Sequence, residues 1–145
     1  MTQRGFSLIE ALIALLVLSI GLIGVAAMQL KALQSATAGY QRSVATLAAV
    51  DAQEQLWAEL ALLNETEDCT SVDVEKVEGD WKELWSADND SNPLRNTQWG
   101  NNASRIDRND DDDCEFTITL MLSNSPGGIN TNFEYTFRLP KKPGG

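Results

Sequence analysis

The sequence predicts an α+β fold: one long N-terminal helix whose protruding first half is apolar all round and whose second half packs on a small antiparallel sheet. Three observations predict it. The run Ala11–Leu30 carries no charge at all. No proline occurs before Pro93, so nothing forces a break through about residue 63. Near the C-terminus, two segments around Phe116 and Tyr135 alternate apolar and polar side chains with the period of a strand.

The helix is expected from about Phe6 to Leu63. Within Ala11–Leu30, only Ser19 and Gln29 are clearly polar. After Lys31 the pattern becomes one-sided: Leu33, Tyr40, Val44, Leu47, Leu56, Leu60 and Leu63 recur at helical spacings, with Gln41, Arg42, Gln53, Glu54 and Glu59 between them. Alanine is abundant and favours helix. At 1.5 Å per residue the element is roughly 85 Å long. No globule of this size can bury it, so its first half must enter a membrane or contact other subunits. Gly21, Gly24 and Gly39 weaken it locally; in lipid, small residues also permit close helix approach.

Residues 64–113 are polar and acidic, a variable loop region. Ser71–Glu78, with Val72, Val74 and Val77, fits a short strand. Asp80-Trp81-Lys82-Glu83 fits a capping box opening a short helix that places Trp81 and Trp85 a turn apart. These tryptophans and Trp57 are expected in the core. Residues 89–108, around Pro93, carry turn chemistry. The C-terminal hairpin follows over 114–139. Its first strand sets Phe116, Ile118, Leu120 and Leu122 on one face; its second alternates Phe133, Tyr135, Phe137 and Leu139 with Glu134, Thr136 and Arg138. Ser123–Asn132 is rich in turn residues, and 140–145 forms a tail. A two-stranded hairpin alone is marginal, so another strand is expected from residues 65–110.

The N-terminus is unusual for a plain anchor. Glu10 stands at the mouth of the apolar run, and an acid there is costly unless it meets a partner. Three ordinary readings compete. A plain transmembrane anchor suits twenty apolar residues with Arg4 ahead of them. A secretory signal could be cleaved after Val25-Ala26-Ala27, before Met28, although Glu10 and the length of the run fit it poorly. A buried helix of a soluble protein is disfavoured by the length of the charge-free run.

The string Gly5-Phe6-Ser7-Leu8-Ile9-Glu10, behind Arg4 and ahead of an apolar helix, resembles the N-terminus of type IV pilins and type II secretion pseudopilins. The resemblance implies a leader, 1–5, removed by a prepilin peptidase between Gly5 and Phe6, and N-methylation of Phe6. It implies that Glu10 neutralises the terminal amine of a neighbouring subunit as helices bundle in a filament. Two opposite charges drawn toward lipid are each other's cheapest solution. Residues 6–30 would be the transmembrane and filament-core half of the helix. Residues 31–145 would be a pilin-like periplasmic domain. The stretch from Leu12 to Ser35 extends the resemblance to minor pilins over roughly residues 5–60. It implies other minor pilins and the major pilin as partners, the inner membrane as the location before assembly, and the pilus afterwards. A minor pseudopilin of a secretion system has the same N-terminal chemistry.

Composition agrees with a small exported protein. The chain has 145 residues and a net charge of −10, and Glu10 is the single acid before Asp51. A polyanionic domain disfavours nucleic acid as a partner. With no histidine, imidazole acid–base, nucleophile and metal chemistry is excluded. No cofactor motif is present: Gly127-Gly128 lacks the Lys-Ser/Thr of a phosphate loop. The run Asp107–Asp113 could offer oxygen ligands to calcium but lacks EF-hand spacing and reads as a solvated acidic loop. No residues point to an enzyme. Cys69 and Cys114 both fall in the part that would be exported, where one disulfide is the default. It would staple the start of the hairpin to the segment just after the long helix. The membrane-anchored ligand- or calcium-binding module is the remaining alternative.

Overall fold

The computed structural model describes residues 7–88, 91–95, 97–100, 102–122 and 131–141. Its elements are α1 (Leu8–Leu62), a 3-10 turn (Cys69–Ser71), α2 (Val74–Trp85), and strands β1 (Arg105–Arg108), β2 (Glu115–Leu122) and β3 (Thr131–Arg138). The chain divides into two compact units, Met1–Thr37 and Ala38–Gly145. The architecture is α+β, pilin-like, with a long N-terminal helix that packs on a three-stranded sheet in order β1-β2-β3.

In the second unit, α1 presents alanine to the core. Ala45, Ala48, Ala49 and Ala52 are fully buried, with Val44, Leu56 and Leu60 beside them. The expected stripe is corrected here: Leu33, Tyr40 and Leu47 are exposed. Small side chains let neighbouring elements reach the helix backbone. Trp81 Nε1 donates to the carbonyl of Ala48 at 2.8 Å, with the indole fully buried. A larger residue in place of Ala48 or Ala52 would hold the ring away.

The strand expected over Ser71–Glu78 does not form; α2 occupies most of it. Valines at 74 and 77 instead take the helical spacing of three that points them toward Trp81. Asp73, not Asp80, is the N-cap, its carboxylate accepting from Lys76 N–H. Trp81 is in the core, set edge-on to Trp99 at 5.3 Å. Trp85 is half-buried, and its Nε1 donates to Asp51 at 2.8 Å. Trp57 is 39% exposed and is not a core residue.

The third strand comes from the stretch read as a loop. Arg105–Arg108 pairs antiparallel with β2, Ile106 opposite Ile118. Within the same stretch, Leu94 and Ser104 are buried, and Ser104 Oγ bridges Gln98 O and Met121 N–H. The hairpin is as expected: Glu115 pairs with Arg138 through Leu122 with Thr131, and Phe116, Ile118, Leu120 and Leu122 face the core. Its turn, 123–130, and the tail residues 142–145 lie outside the described residues.

Candidate functional site

The apolar half of α1 is exposed among the described residues. From Leu8 to Leu30 every residue except Ala11 is exposed, and the segment is long and apolar enough to cross a membrane. At 1.5 Å per residue it spans about 35 Å, against ~30 Å of hydrocarbon. The one hydroxyl in the run is satisfied internally: Ser19 donates to Leu15 O at 2.7 Å. Among the described residues, nothing lies within 4 Å of where a Cβ on Gly21 or Gly24 would sit, so packing among them does not require glycine at either position.

Glu10 stands in the first turn of α1 and is exposed. The turn is opened by Ser7, whose carbonyl accepts from the N–H groups of Glu10 and Ala11 at 3.0 and 3.2 Å. A carboxylate here is favoured by the helix dipole, which offsets part of the cost of bringing it toward lipid. Among the described residues it has no ion-pair partner, and the next charge along the helix is Lys31, roughly 31 Å away. Gly5 and Phe6 lie outside the described residues.

The second set of predicted residues sits in the other unit. Cys69 and Cys114 form a disulfide, their Cα atoms 5.3 Å apart, and both are buried. It joins the 3-10 turn to the residue preceding β2. Sequence reasoning missed a second clamp on the same segment. Arg108 donates from Nη1 to Thr70 O at 2.6 Å and from Nη2 to Val72 O at 2.8 Å, with its guanidinium over the Phe116 ring. No local pattern marks such a long-range contact. Asp68 caps the turn, and its carboxyl is held below the usual carboxylate range by the Thr70 hydroxyl first and the Thr70 N–H second.

Three acids of the run, Asp110, Asp111 and Asp113, are exposed, and two meet protein partners. Asp107 pairs with Arg105 at 2.6 Å. Asp112 accepts from Cys114 N–H at 3.1 Å and pairs with Arg138 at 3.0 Å. Asp111–Asp113 line a depression of about 360 Å³ that also contains Arg138 and Lys141. Two cations in the same hollow disfavour calcium there, and among the described residues no group of three or more acids or cysteines converges as a metal site.

Residues 1–26 match the model of the prokaryotic N-terminal methylation motif. No curated protein and no solved structure matches the chain. The matched segment contains Gly5, Phe6 and Glu10 and supports a type IV pilin-like prepilin, a class that includes pilins and pseudopilins. The motif implies processing by a prepilin peptidase and assembly with other pilins. Together with the apolar helix, it fits anchoring in the inner membrane before assembly.

Proposed function

We propose that this chain is a minor type IV pilin, a structural subunit that helps to initiate pilus assembly and contributes to pilus-dependent adhesion or motility. The observation that carries the proposal is the methylation motif over residues 1–26 leading into a helix whose apolar half is exposed among the described residues. In this reading residues 1–5 are a leader, cut between Gly5 and Phe6, and Phe6 is methylated. Residues 6–30 hold the chain in the inner membrane and later in the filament core. There Glu10 pairs with the terminal amine of an adjacent subunit. Residues 31–145 face the periplasm and present a subunit-specific surface, stapled by Cys69–Cys114.

The minor-pilin assignment rests on sequence likeness. The segments Leu12–Gly24 and Met28–Ser35 resemble the minor pilin PilV, and a PilV-type role places the chain among the minor pilins that prime assembly at the tip. The deciding experiment is the intact mass of the mature protein from cells with and without prepilin peptidase. Loss of residues 1–5 plus one methyl group, only when the peptidase is present, is the expected result. Loss of residues 1–27 would replace the filament reading with a secreted domain. A deletion strain then separates the two filament systems: a minor pilin costs twitching, whereas a pseudopilin costs protein secretion.

A further inference from the structure

Between Tyr40 and Trp57, α1 has two distinct faces. One is the core face, on which Ala45, Ala49, Ala52 and Leu56 are fully buried. About half a turn round the helix lies a second line: Tyr40, Ser43, Leu47, Val50, Glu54 and Trp57. All six are exposed. They follow one another at alternating steps of three and four. Tyr40, Leu47 and Glu54 thus take the a positions of a heptad, and Ser43, Val50 and Trp57 the d positions. A helix that only packs on its own sheet needs one apolar face. A second, narrow a/d line opposite the first is the seam of a helix pair.

The polar groups along the seam differ in one respect. The hydroxyl of Ser43 donates to Gly39 O at 3.1 Å, and that of neighbouring Thr46 donates to Arg42 O at 3.0 Å. Covering them therefore leaves no hydroxyl donor unpaired. Glu54 is the single charge on the line, and among the described residues its carboxylate has no ion-pair partner. Its neighbours one turn away on the helix are Val50, Asp51, Trp57 and Ala58. Arg42 is the only base between Lys31 and Lys76 in the sequence, and it lies about 18 Å along the axis from Glu54.

One charged residue at an a position of an otherwise uncharged seam selects a partner and a register. In a parallel pair in register, each a residue meets the a residue of the other helix. A second copy of this chain would set Glu54 against Glu54 and join two chains of net charge −10. A helix with lysine or arginine at that level meets Glu54 with the opposite sign instead. Direction follows from anchoring: α1 is one helix from Leu8 to Leu62, and chains whose N-terminal halves enter one membrane from the same side run parallel. We propose that the Tyr40–Trp57 seam docks the parallel N-terminal helix of a different pilin-like subunit, one that has small or aliphatic residues facing Tyr40 to Val50 and a lysine or arginine facing Glu54. Glu54 is the residue that sets specificity, admitting that partner and rejecting a second copy. The pairing rests on the filament-subunit reading above and adds to it a surface, a register and a sign of charge.

The test uses the full-length chain in its own cells, with the photoreactive residue p-benzoylphenylalanine in place of Leu47 or, separately, of Tyr40. Irradiation is expected to join each probe to one other chain that itself has a prepilin-type N-terminus. Peptide mass spectrometry is expected to place the bond in that chain's N-terminal helix, within about one turn of the same position counted from the mature N-terminus. The same probe at Leu84, which is exposed on α2, should not give this product. With the probe at Leu47, Glu54→Lys should lower the yield roughly ten-fold and Glu54→Gln by less. Replacing the partner's facing lysine or arginine by glutamate should restore the yield alongside Glu54→Lys. Where Glu54→Lys does not accumulate, the partner's charge reversal against the natural Glu54 tests the same pair and should lower the yield equally. The proposal is overturned by a bond to a second copy of this chain or within the chain, by a bond to a protein without that N-terminus, or by equal yield from Leu84. Unchanged yield on charge reversal overturns it too, as does no product from either probe. The N-terminal peptide separates the two readings. A chain that has lost residues 1–5 and gained the methyl group, yet gives no product, overturns the pairing alone, whereas an unprocessed chain overturns both.

Discussion

Replacing both cysteines by alanine, Cys69→Ala with Cys114→Ala, isolates what the staple contributes. The sequence separation is 45, and freeing a loop of that length raises the entropy of the unfolded chain by about 4 kcal/mol. The folded state should keep its geometry. Arg108 still holds Thr70 O and Val72 O from β1, and Asp68 still caps the turn. The loss therefore falls on the unfolded state. A domain stable by about 5–15 kcal/mol would remain folded, though close to its limit. With a urea m-value of about 1.3 kcal/mol/M, the midpoint should drop by about 3 M. The assay is urea unfolding in mild detergent followed by near-ultraviolet circular dichroism, comparing the oxidised natural chain with the variant. Adding Arg108→Ala to each background completes a cycle. An unfolded-state effect predicts that the arginine costs the same in both, within ~0.5 kcal/mol. A midpoint shift under about 0.5 M would refute the argument, and so would a natural chain whose cysteines already react with thiol reagents. A large coupling to Arg108 would show that the disulfide also holds the folded loop in place.

Glu10→Val should leave membrane insertion and leader cleavage intact yet impair incorporation with partner pilins; normal incorporation in shear fractions would contradict the charge-pair account. Trp81→Ala should destabilise the second unit by about 3–5 kcal/mol, because it empties a core site and removes the bond to Ala48 O. Trp57→Ala, at the surface, should cost under about 1 kcal/mol, and parallel urea titrations would show a wrong ranking at once. Asp68 has a folded pKa lowered by Thr70, so its contribution is present above the unfolded value of about 3.9 and is lost as pH falls through the folded one. The stability difference between the natural chain and Asp68→Asn should therefore shrink on acidification below that value. A constant difference from pH 5 to pH 2 would assign the effect to something other than ionisation.

Local patterns were legible where one periodicity ran unopposed. Phe116, Ile118, Leu120 and Leu122 recur at every second position, and their strand, Glu115–Leu122, ends where they do. The long helix has no proline and few breakers, and it runs from Leu8 to Leu62. Residues 71–78 misled because Val72, Val74 and Val77 fit a strand by composition, whereas Val74 and Val77 also share a helical face. The Asp73 cap and the buried position of Trp81 decide between them. Arg105–Arg108 has only one large apolar residue, Ile106. Its strand exists because β2 offers an edge and Glu78 receives the N–H on the other side. The core face of α1 was misread for a related reason. Large residues dominate a periodicity, yet close packing against the helix backbone selects alanine.

The candidate site divides in the same way. Glu10 and the apolar run are local chemistry: a charge at the mouth of an uncharged helix is written in consecutive residues and needs no fold to be recognised. The two cysteines were equally visible. What brings Cys69 to Cys114, lays Arg108 across the same segment and sets Glu78 against the β1 edge depends on contacts between residues tens of positions apart. The sequence by itself determined the long helix, its acid, the hairpin and the class of N-terminus, because each is a short-range pattern with one low-energy solution. Only the tertiary structure decided which face of the helix is core, where the third strand falls and which side chain meets the β1 edge. Those outcomes depend on which distant side chains fill the same space.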